Sequence, residues 1–301
     1  MSEFFIELFS EEIPANLQNK TRQDFFQNLK EFLEKEDIKY SGEATAFSIP
    51  NRLIVYFQNI SKKITKKENE IRGPNINAPE GALNGFLKSY KISIDKTYKK
   101  KTDKGEFYFF KKPSESIETK FVLQKNLPKI LDKTSWKKSM RWADHELYWG
   151  RPLKSILCCF DNKTLEFEYH HLVSSNITFI DKDFEQKTKK FVRFKDYLAF
   201  FKSQNIILDN KKREQFIVDQ LNRIAKKENL KIHFNSTLLN EVTNIVEKPN
   251  IIKCRFNKRF LEIPDDILVT TMQVHQKYFP TFDSRDKLTN NFFLVADLSL
   301  I

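Results

Sequence analysis

The first sixty residues follow a strand, helix, strand pattern, and this order constrains the fold more than any other feature. The run "FFIELF" at residues 4–9 is short, apolar and aromatic, as expected for a buried strand. The turn "SEEIP" follows, and Pro14 is acceptable at the first position of a helix. "RLIVYFQNI" at residues 52–60 predicts the next strand. The helix between them has one apolar stripe, formed by Phe25, Phe26, Leu29, Phe32 and Leu33.

The whole pattern predicts an α+β fold with mixed sheets, packed amphipathic helices and two subdomains. Residues 61–75 are expected to form a charged connector that ends in a Gly-Pro turn, and residues 98–110 a basic loop or hairpin tip before a strand. The charged segment 181–190 is the expected boundary between subdomains 1–190 and 191–301. Helices are predicted at 79–90, 115–133, 195–229 and 236–247, the last with a Ser or Thr cap, and strands at the end of 134–160 and at 164–173, 250–256 and 290–298.

The net charge of +12 favours a polyanionic partner, and nucleic acid is the first candidate. However, the chain contains 41 Lys against 11 Arg and is rich in Asn, Ile and Phe. An AT-biased genome also produces this composition. Composition alone therefore leaves a nucleic-acid partner and codon bias both open.

Cysteine usage and hydropathy indicate a cytoplasmic protein. Cys158, Cys159 and Cys254 have no metal-ligand spacing and form no disulfide framework, which fits a reducing compartment. The N-terminus lacks the basic start and long apolar run of a signal peptide. No segment approaches 18 uninterrupted apolar residues, so we expect no membrane span.

The stretch "DDILVTTMQVHQKYFP" at residues 265–280 resembles a catalytic cluster because it brings a histidine, a lysine and a tyrosine together. Acidic residues after Pro264 and the helix-breaking Pro280 predict a helix between them. Lys277 then falls on the face opposite His275, which argues against a catalytic pair. His275 is expected to be a hydrogen-bonded residue in or near the core, and Lys277 a solvated charge or a phosphate contact. The expected core face contains Leu268, Met272, His275 and Phe279.

The segment "SMRWADHELYWGRPL" at residues 139–153 combines arginines with aromatic residues. Arg141, Trp142 and Arg151 suit phosphate contacts and base stacking, whereas an aromatic core with flanking charges is the alternative. Glu11 and Glu12 are paired carboxylates, which more often serve a helix dipole than acid–base chemistry. His170 and His171 are expected on opposite faces of a strand, which disfavours a metal site. The sequence contains no P-loop, GxGxxG, HExxH or nucleophile elbow.

An ordered series of motifs over the whole chain resembles the N-terminal part of the beta subunit of bacterial tetrameric glycyl-tRNA synthetase. The motifs are "ELFSEEIP" at 7–14, "IPNRLIV" at 49–55, "EIRGP" at 70–74, "KSMRWADHELYWGRPL" at 138–153, "LLNEVTNIVEKP" at 238–249, "FLEIPDDILVTTMQVHQKYFP" at 260–280 and "LTNNFFLVADL" at 288–298. The chain departs from the family pattern at Asn51, where an arginine is usual, and at Lys248, where a tryptophan is usual. "FIDKDF" stands at 179–184 where a Gly-His-Arg-Phe motif is expected, which puts the role of that motif in doubt.

The resemblance implies a non-catalytic subunit of a glycine–tRNA ligase. The alpha subunit would carry the catalytic core with ATP, glycine and magnesium, and this chain is expected to bind no cofactor and to be inactive alone. Expected partners are the alpha subunit and tRNA(Gly), in a beta–beta or alpha2beta2 assembly. The HD-type and anticodon-binding domains of the family do not occur in these 301 residues, which suggests a fragment, a truncated product or a split subunit.

Residue chemistry and motif placement select the site candidates. The structural residues of the "HQKYFP" signature are His275, Tyr278 and Pro280. One alternative function is a scaffold that only holds the alpha subunit, and another is a degenerate remnant with neither role. The candidates for RNA contact are Arg72, Arg141, Trp142, Arg151 and Lys277.

Overall fold

The structure, a computed structural model, describes residues 2–66, 68–180 and 187–297. Contacts divide the chain into two compact units: residues 1–61 with 123–301, and residues 62–122. The second unit is therefore an insertion in the sequence of the first. This division lies elsewhere than the boundary predicted at residues 190 and 191. Residues 181–186 of that predicted boundary segment, and most of "FIDKDF", lie outside the described residues.

The described residues contain both helices and strands, which confirms the α+β fold class. The helices are α1 Ala15–Lys35, α2 Glu80–Tyr90, α3 Thr119–Asp132, α4 Phe194–Ser203, α5 Asn210–Lys227, α6 Ser236–Ile245 and α7 Asp265–Thr270. The strands are β1 Phe4–Ser10, β2 Ala44–Ile49, β3 Arg52–Phe57, β4 Lys63–Lys66, β5 Asn69–Asn75, β6 Thr97–Thr102, β7 Gly105–Lys112, β8 Glu115–Glu118, β9 Leu153–Phe160, β10 Lys163–Thr164, β11 Glu168–Tyr169, β12 Leu172–Val173, β13 Ile177–Phe179, β14 Thr188–Lys190, β15 Pro249–Arg255, β16 Phe279–Phe282 and β17 Leu288–Asp297.

The larger unit is built on a five-stranded antiparallel sheet with the strand order β10-β9-β1-β3-β2. Helices cover both of its faces. On one face, Phe26 of α1 stacks on Phe57 of β3, with 5.4 Å between ring centroids. On the other, Phe5 of β1 contacts Phe194 and Tyr197 of α4 at 5.5 and 5.9 Å. Burial on both faces explains why β1 is apolar at successive positions instead of alternating, with Glu7 as the one charged residue in the strand.

A second core lies in the same unit, where α5 and α6 pack with the antiparallel sheet β15-β17-β16. Ile217 and Leu221 of α5 contribute to this core with Val242 of α6 and Phe279 and Phe293 of the sheet. The side chain of Asn235 caps α6 by accepting hydrogen bonds from the backbone N–H groups of Thr237 and Leu238 at 2.9 and 3.1 Å. The predicted Ser or Thr cap was therefore wrong by one residue.

The inserted unit contains two small antiparallel sheets, β5-β7-β6 and β4-β8, together with α2. The prediction of a connector over residues 61–75 was wrong, because isoleucines inside the charged run pair with apolar residues. Ile64 lies opposite Ile117, and Ile71 lies opposite Phe110. Since β8 occupies residues 115–118, α3 begins at Thr119 and not at residue 115 as predicted. No helix in the described parts of either unit combines the length and the apolarity that crossing a bilayer requires.

Two further predictions were wrong in detail. The strand expected at 164–173 is broken into β10, β11 and β12, with His170 in a turn at a φ of 50°. The two histidines therefore do not alternate along one strand. The helix expected to run to residue 279 ends at His275 in one π-helical turn, after which Lys277 adopts a φ of 60°. This wider last turn leaves His275 exposed, whereas Met272 and Phe279 are buried.

Candidate functional site

Three of the sequence motifs meet at one cavity of about 640 Å³ in the larger unit. We call it the motif cavity. Its lining comes from "ELFSEEIP", "IPNRLIV" and "SMRWADHELYWGRPL", which are far apart in sequence, and from Lys154 directly after the third motif. The lining residues are Phe9, Ser10, Glu11, Glu12, Asn51, Met140, Arg151, Pro152 and Lys154.

Backbone hydrogen bonds hold the three motifs together at the end of β1. The N–H of Ser10 donates to the carbonyl of Asn51 at 2.9 Å, and the N–H of Glu11 donates to the carbonyl of Pro152 at 2.9 Å. The N–H of Ile13 donates to the carbonyl of Pro50 at 2.6 Å. The cavity wall is therefore fixed by main-chain contacts, which depend little on side-chain identity.

The charges in the motif cavity are balanced. Glu11 forms an ion pair with Lys154 at 2.6 Å, and Glu12 and Arg151 add one charge of each sign. Asn51 is 2% exposed, and among the described residues its side-chain oxygen has no hydrogen-bond donor. Because buried polar atoms are normally satisfied, this amide can accept a hydrogen bond from water or a ligand. The cavity thus has equal numbers of positive and negative side chains and one unpaired amide oxygen. Such a cavity suits a zwitterionic group with hydrogen-bond donors better than it suits a polyanion.

The predicted Arg141–Trp142 pair lies in the irregular segment beside this cavity. Met140 and Trp149 form an antiparallel bridge with N–H to carbonyl distances of 2.8 and 3.1 Å, which closes the segment into a loop. The Nε of Arg141 donates to the carbonyl of His145 at 3.1 Å, so this guanidinium is oriented but still exposed. Tyr148, 5.9 Å from Arg141, is 62% exposed. The loop thus presents a cation and an aromatic ring to solvent.

Trp142 is part of an aromatic cluster that includes two histidines. The rings of His145 and His171 stack in parallel with 3.6 Å between centroids, and Trp142 meets His171 edge-on at 5.6 Å. Burial, and then the charge of His145, lower the pKa of His171 below its ordinary value. His171 therefore offers a flat neutral ring at pH 7. The stacking of His145 on His171 was not predicted from the sequence, because it depends on the turn between β11 and β12.

The other predicted site residues lie elsewhere. Arg72 is in the inserted unit, with its guanidinium carbon 3.5 Å from the ring centroid of Phe107. Lys277 forms an ion pair with Glu241 of α6 at 2.8 Å, so a phosphate contact would compete with that carboxylate. Tyr278 stacks on Phe292 at 4.6 Å and Pro280 lies opposite Phe292 in the sheet, in keeping with structural roles.

A charged cluster that was not predicted from the sequence is buried in the central sheet. Arg52 donates to Glu7 at 3.0 Å and to the hydroxyl of Thr178 at 2.7 Å, and Tyr197 and Thr178 both donate to Glu7. Glu7 and Arg52 are 0% and 2% exposed. Burial, and then the charge of Glu7, raise the pKa of Tyr197 well above its ordinary value. The sequence did contain a signal for this pair, because Glu7 and Arg52 are the single charged residues in the apolar strands β1 and β3.

The described residues contain no group of three or more metal-ligating side chains placed to bind a metal ion. The adjacent cysteines are buried in the central sheet. Burial raises the pKa of Cys158 well above its ordinary value and the pKa of Cys159 to about 12, so both thiols stay protonated at neutral pH. Neither thiol has the character of an activated nucleophile.

The chain is similar in sequence to proteins of one known family. Residues 4–300 match the family described as "Glycyl-tRNA synthetase beta subunit". The chain is 35% identical over 299 residues to the glycine–tRNA ligase beta subunit of Rickettsia felis, and 36% identical over 298 residues to that of Rickettsia prowazekii. Each alignment covers 99% of this chain but only 45% and 44% of the respective relative. The chain therefore spans less than half the length of these curated relatives.

Proposed function

Because the chain belongs to the glycyl-tRNA synthetase beta subunit family, we propose that it is a tRNA-binding and assembly part of a glycine–tRNA ligase. In this role it supports the ATP-dependent ligation of glycine to tRNA(Gly) by an alpha subunit in the cytoplasm. ATP and magnesium bind at the alpha subunit, and this chain binds neither. The observation that carries the proposal is the family match over residues 4–300.

Features of the structure support an RNA-binding role. The chain has a net charge of +12 and exposes Arg141 beside Trp142 and Tyr148 on one loop. Proteins that bind unpaired RNA combine cations for the phosphates with aromatic rings for the bases.

A filter-binding titration with a tRNA(Gly) transcript tests this role. The affinity should fall steeply between about 50 and 200 mM salt, because each phosphate contact releases counterions. Arg141→Ala should weaken binding and lower the slope of log K against log salt by roughly 0.7–0.9. Arg223→Ala, which removes an exposed arginine from α5, is the matched control and should behave like wild type. Affinity that does not depend on salt would rule out the tRNA-binding role, and unchanged affinity in Arg141→Ala would remove that residue.

The second candidate is a scaffold that binds the alpha subunit and has no tRNA affinity of its own. It is favoured by the exposed apolar side chains of the segment from Phe260 to Val274. Ile267 and Val274 are 58% and 55% exposed. Phe260 nearby in sequence is 40% exposed. Co-purification with the alpha subunit without measurable tRNA binding would favour this scaffold over the tRNA-binding role.

A further inference from the structure

The inserted unit contains a cavity of about 850 Å³ between the end of α2 and β7. We call it the lysine groove. It lies within residues 62–122, so its geometry does not depend on how the two units are arranged. Its lining residues are Ser89, Tyr90, Lys91, Ile92, Lys96, Phe110, Lys111, Lys112 and Pro113.

The charge of the lysine groove has one sign. Its lining contains four lysines and no carboxylate, in contrast to the balanced motif cavity. Lys91 and Lys96 are exposed, and the neighbouring carboxylate of Asp95 is also exposed and does not line the groove. Lys111 and Lys112 meet Glu68 and Glu115 at 3.7 and 3.6 Å, but all four side chains are at least half exposed. Ion pairs of this kind are weak, so they leave these lysines available to a stronger anion.

The inserted unit that contains the groove is also where the chain concentrates its charge. Residues 62–122 contain 15 Lys and Arg against 8 Asp and Glu, a net charge of +7 within 61 residues. The whole chain, almost five times as long, has +12. A composition bias that acts evenly along the gene would spread the excess in proportion to length. The local excess therefore favours a binding surface for a polyanion over codon bias as its origin.

Aromatic rings lie among these lysines. Tyr90 is 42% exposed and its ring lies 6.2 Å from that of Phe110 and 5.1 Å from that of Phe86. Its packing against two rings holds it in place while one side remains open to solvent. A fixed, exposed ring among cations is the arrangement on which an unpaired base can stack while its phosphates are neutralised.

We propose that the lysine groove binds the phosphate backbone of RNA, with Tyr90 stacking on an unpaired base. This inference rests on the proposed tRNA-binding function and assigns part of it to the inserted unit. An acidic protein surface would also meet the lysines, but it has no need of the exposed ring. RNA accounts for both features.

The test uses the complete 301-residue chain and a fluorescently labelled tRNA(Gly) transcript, with binding followed by anisotropy at several salt concentrations. The groove variant replaces Lys91, Lys96 and Lys111 with glutamine. A matched control replaces Lys211, Lys226 and Lys227 of α5 with glutamine. These three lysines are exposed, and their replacement removes the same amount of positive charge. A third variant, Tyr90→Leu, keeps every charge.

The groove variant should bind about tenfold more weakly at low salt, with a salt slope lower by about 2–3, because roughly 0.7–0.9 of slope is lost with each of the three phosphate contacts. The control should keep the wild-type slope. Tyr90→Leu should weaken binding of a single-stranded RNA oligonucleotide while leaving the salt slope unchanged.

Equal effects of the groove variant and the α5 control would overturn the lysine groove alone and leave the proposed function standing. A wild-type chain that binds no tRNA would overturn both. A groove variant that keeps its tRNA affinity but no longer co-purifies with the alpha subunit would also overturn the assignment, in favour of a protein partner.

Discussion

At the scale of single residues, the most informative feature is the ion pair between Glu7 and Arg52 in the central sheet. Both side chains are almost fully buried. The pair forms further hydrogen bonds with Thr178, Tyr197 and the carbonyl of Phe179, whereas the Nε of Arg52 has no acceptor among the described residues. Removing one partner of such a pair strands a charge in the interior, which costs far more than the net stabilisation of the intact pair.

Arg52→Met should therefore destabilise the fold by about 3–5 kcal/mol. The double variant Glu7→Gln with Arg52→Met should be less destabilised than the single one, because no unpaired charge remains. Urea unfolding followed by circular dichroism measures both. As a control, Lys20→Met breaks an exposed pair with Asp24 on α1 and should cost no more than about 1 kcal/mol. An Arg52→Met variant as stable as this control would contradict the structural role of the buried pair.

Some residue contacts could not be predicted from the sequence. Glu7 and Arg52 lie in two motifs that the sequence singled out, but their pairing depends on the antiparallel register of β1 and β3 and on Thr178, more than a hundred residues away. His275 was expected near the core from its helical spacing. The π-helical turn changes that spacing, and local sequence did not reveal it.

At the scale of elements, strongly apolar or periodic segments were predictable, but the helix predicted at 195–229 is broken into α4 and α5 by residues 204–209. The predicted β1, α1, β3, α2, α6, β15 and β17 all occur, with bounds that differ by a few residues. The charged strands β4 and β5 were missed because their stability comes from cross-strand partners, which local propensity does not contain. The motif cavity was missed for a similar reason, because it assembles from three segments joined by backbone hydrogen bonds.

The loop beside the motif cavity depends on Gly150. A methyl group at this position would lie 2.1 Å from a ring carbon of Trp136, and that ring packs on Trp149 at 5.1 Å. Gly150→Ala should displace Trp136 and destabilise the larger unit by about 1–3 kcal/mol, as overpacking commonly does. Thermal unfolding followed by tryptophan fluorescence measures the effect.

Gly85→Ala is a control for this prediction, because it adds the same methyl group where no atom opposes it. Nothing lies within 4 Å of a methyl group added there, in the middle of α2. The substitution should stabilise that helix by about 0.5–1 kcal/mol, because alanine loses less backbone entropy than glycine. Equal stability of Gly150→Ala and wild type would show that Trp136 does not depend on the absent side chain.

At the scale of the whole molecule, the two units differ in character. The larger one contains extensive aromatic and aliphatic cores, whereas the inserted one is small and contains more than half of the net charge. The sequence predicted a polyanionic partner from the overall charge but could not locate it, because the limits of the inserted unit become visible only in the contacts. The motif signature of the family, by contrast, was readable from sequence.

The most direct test of the account is a glycylation assay with a tRNA(Gly) transcript, ATP, magnesium and labelled glycine. The purified alpha subunit is assayed alone and with this chain, and the chain is assayed alone. We expect the chain to raise the rate of the alpha subunit and to form no glycyl-tRNA by itself. An alpha subunit whose rate does not change when the chain is added, or glycyl-tRNA formed by the chain as the sole protein, would contradict it.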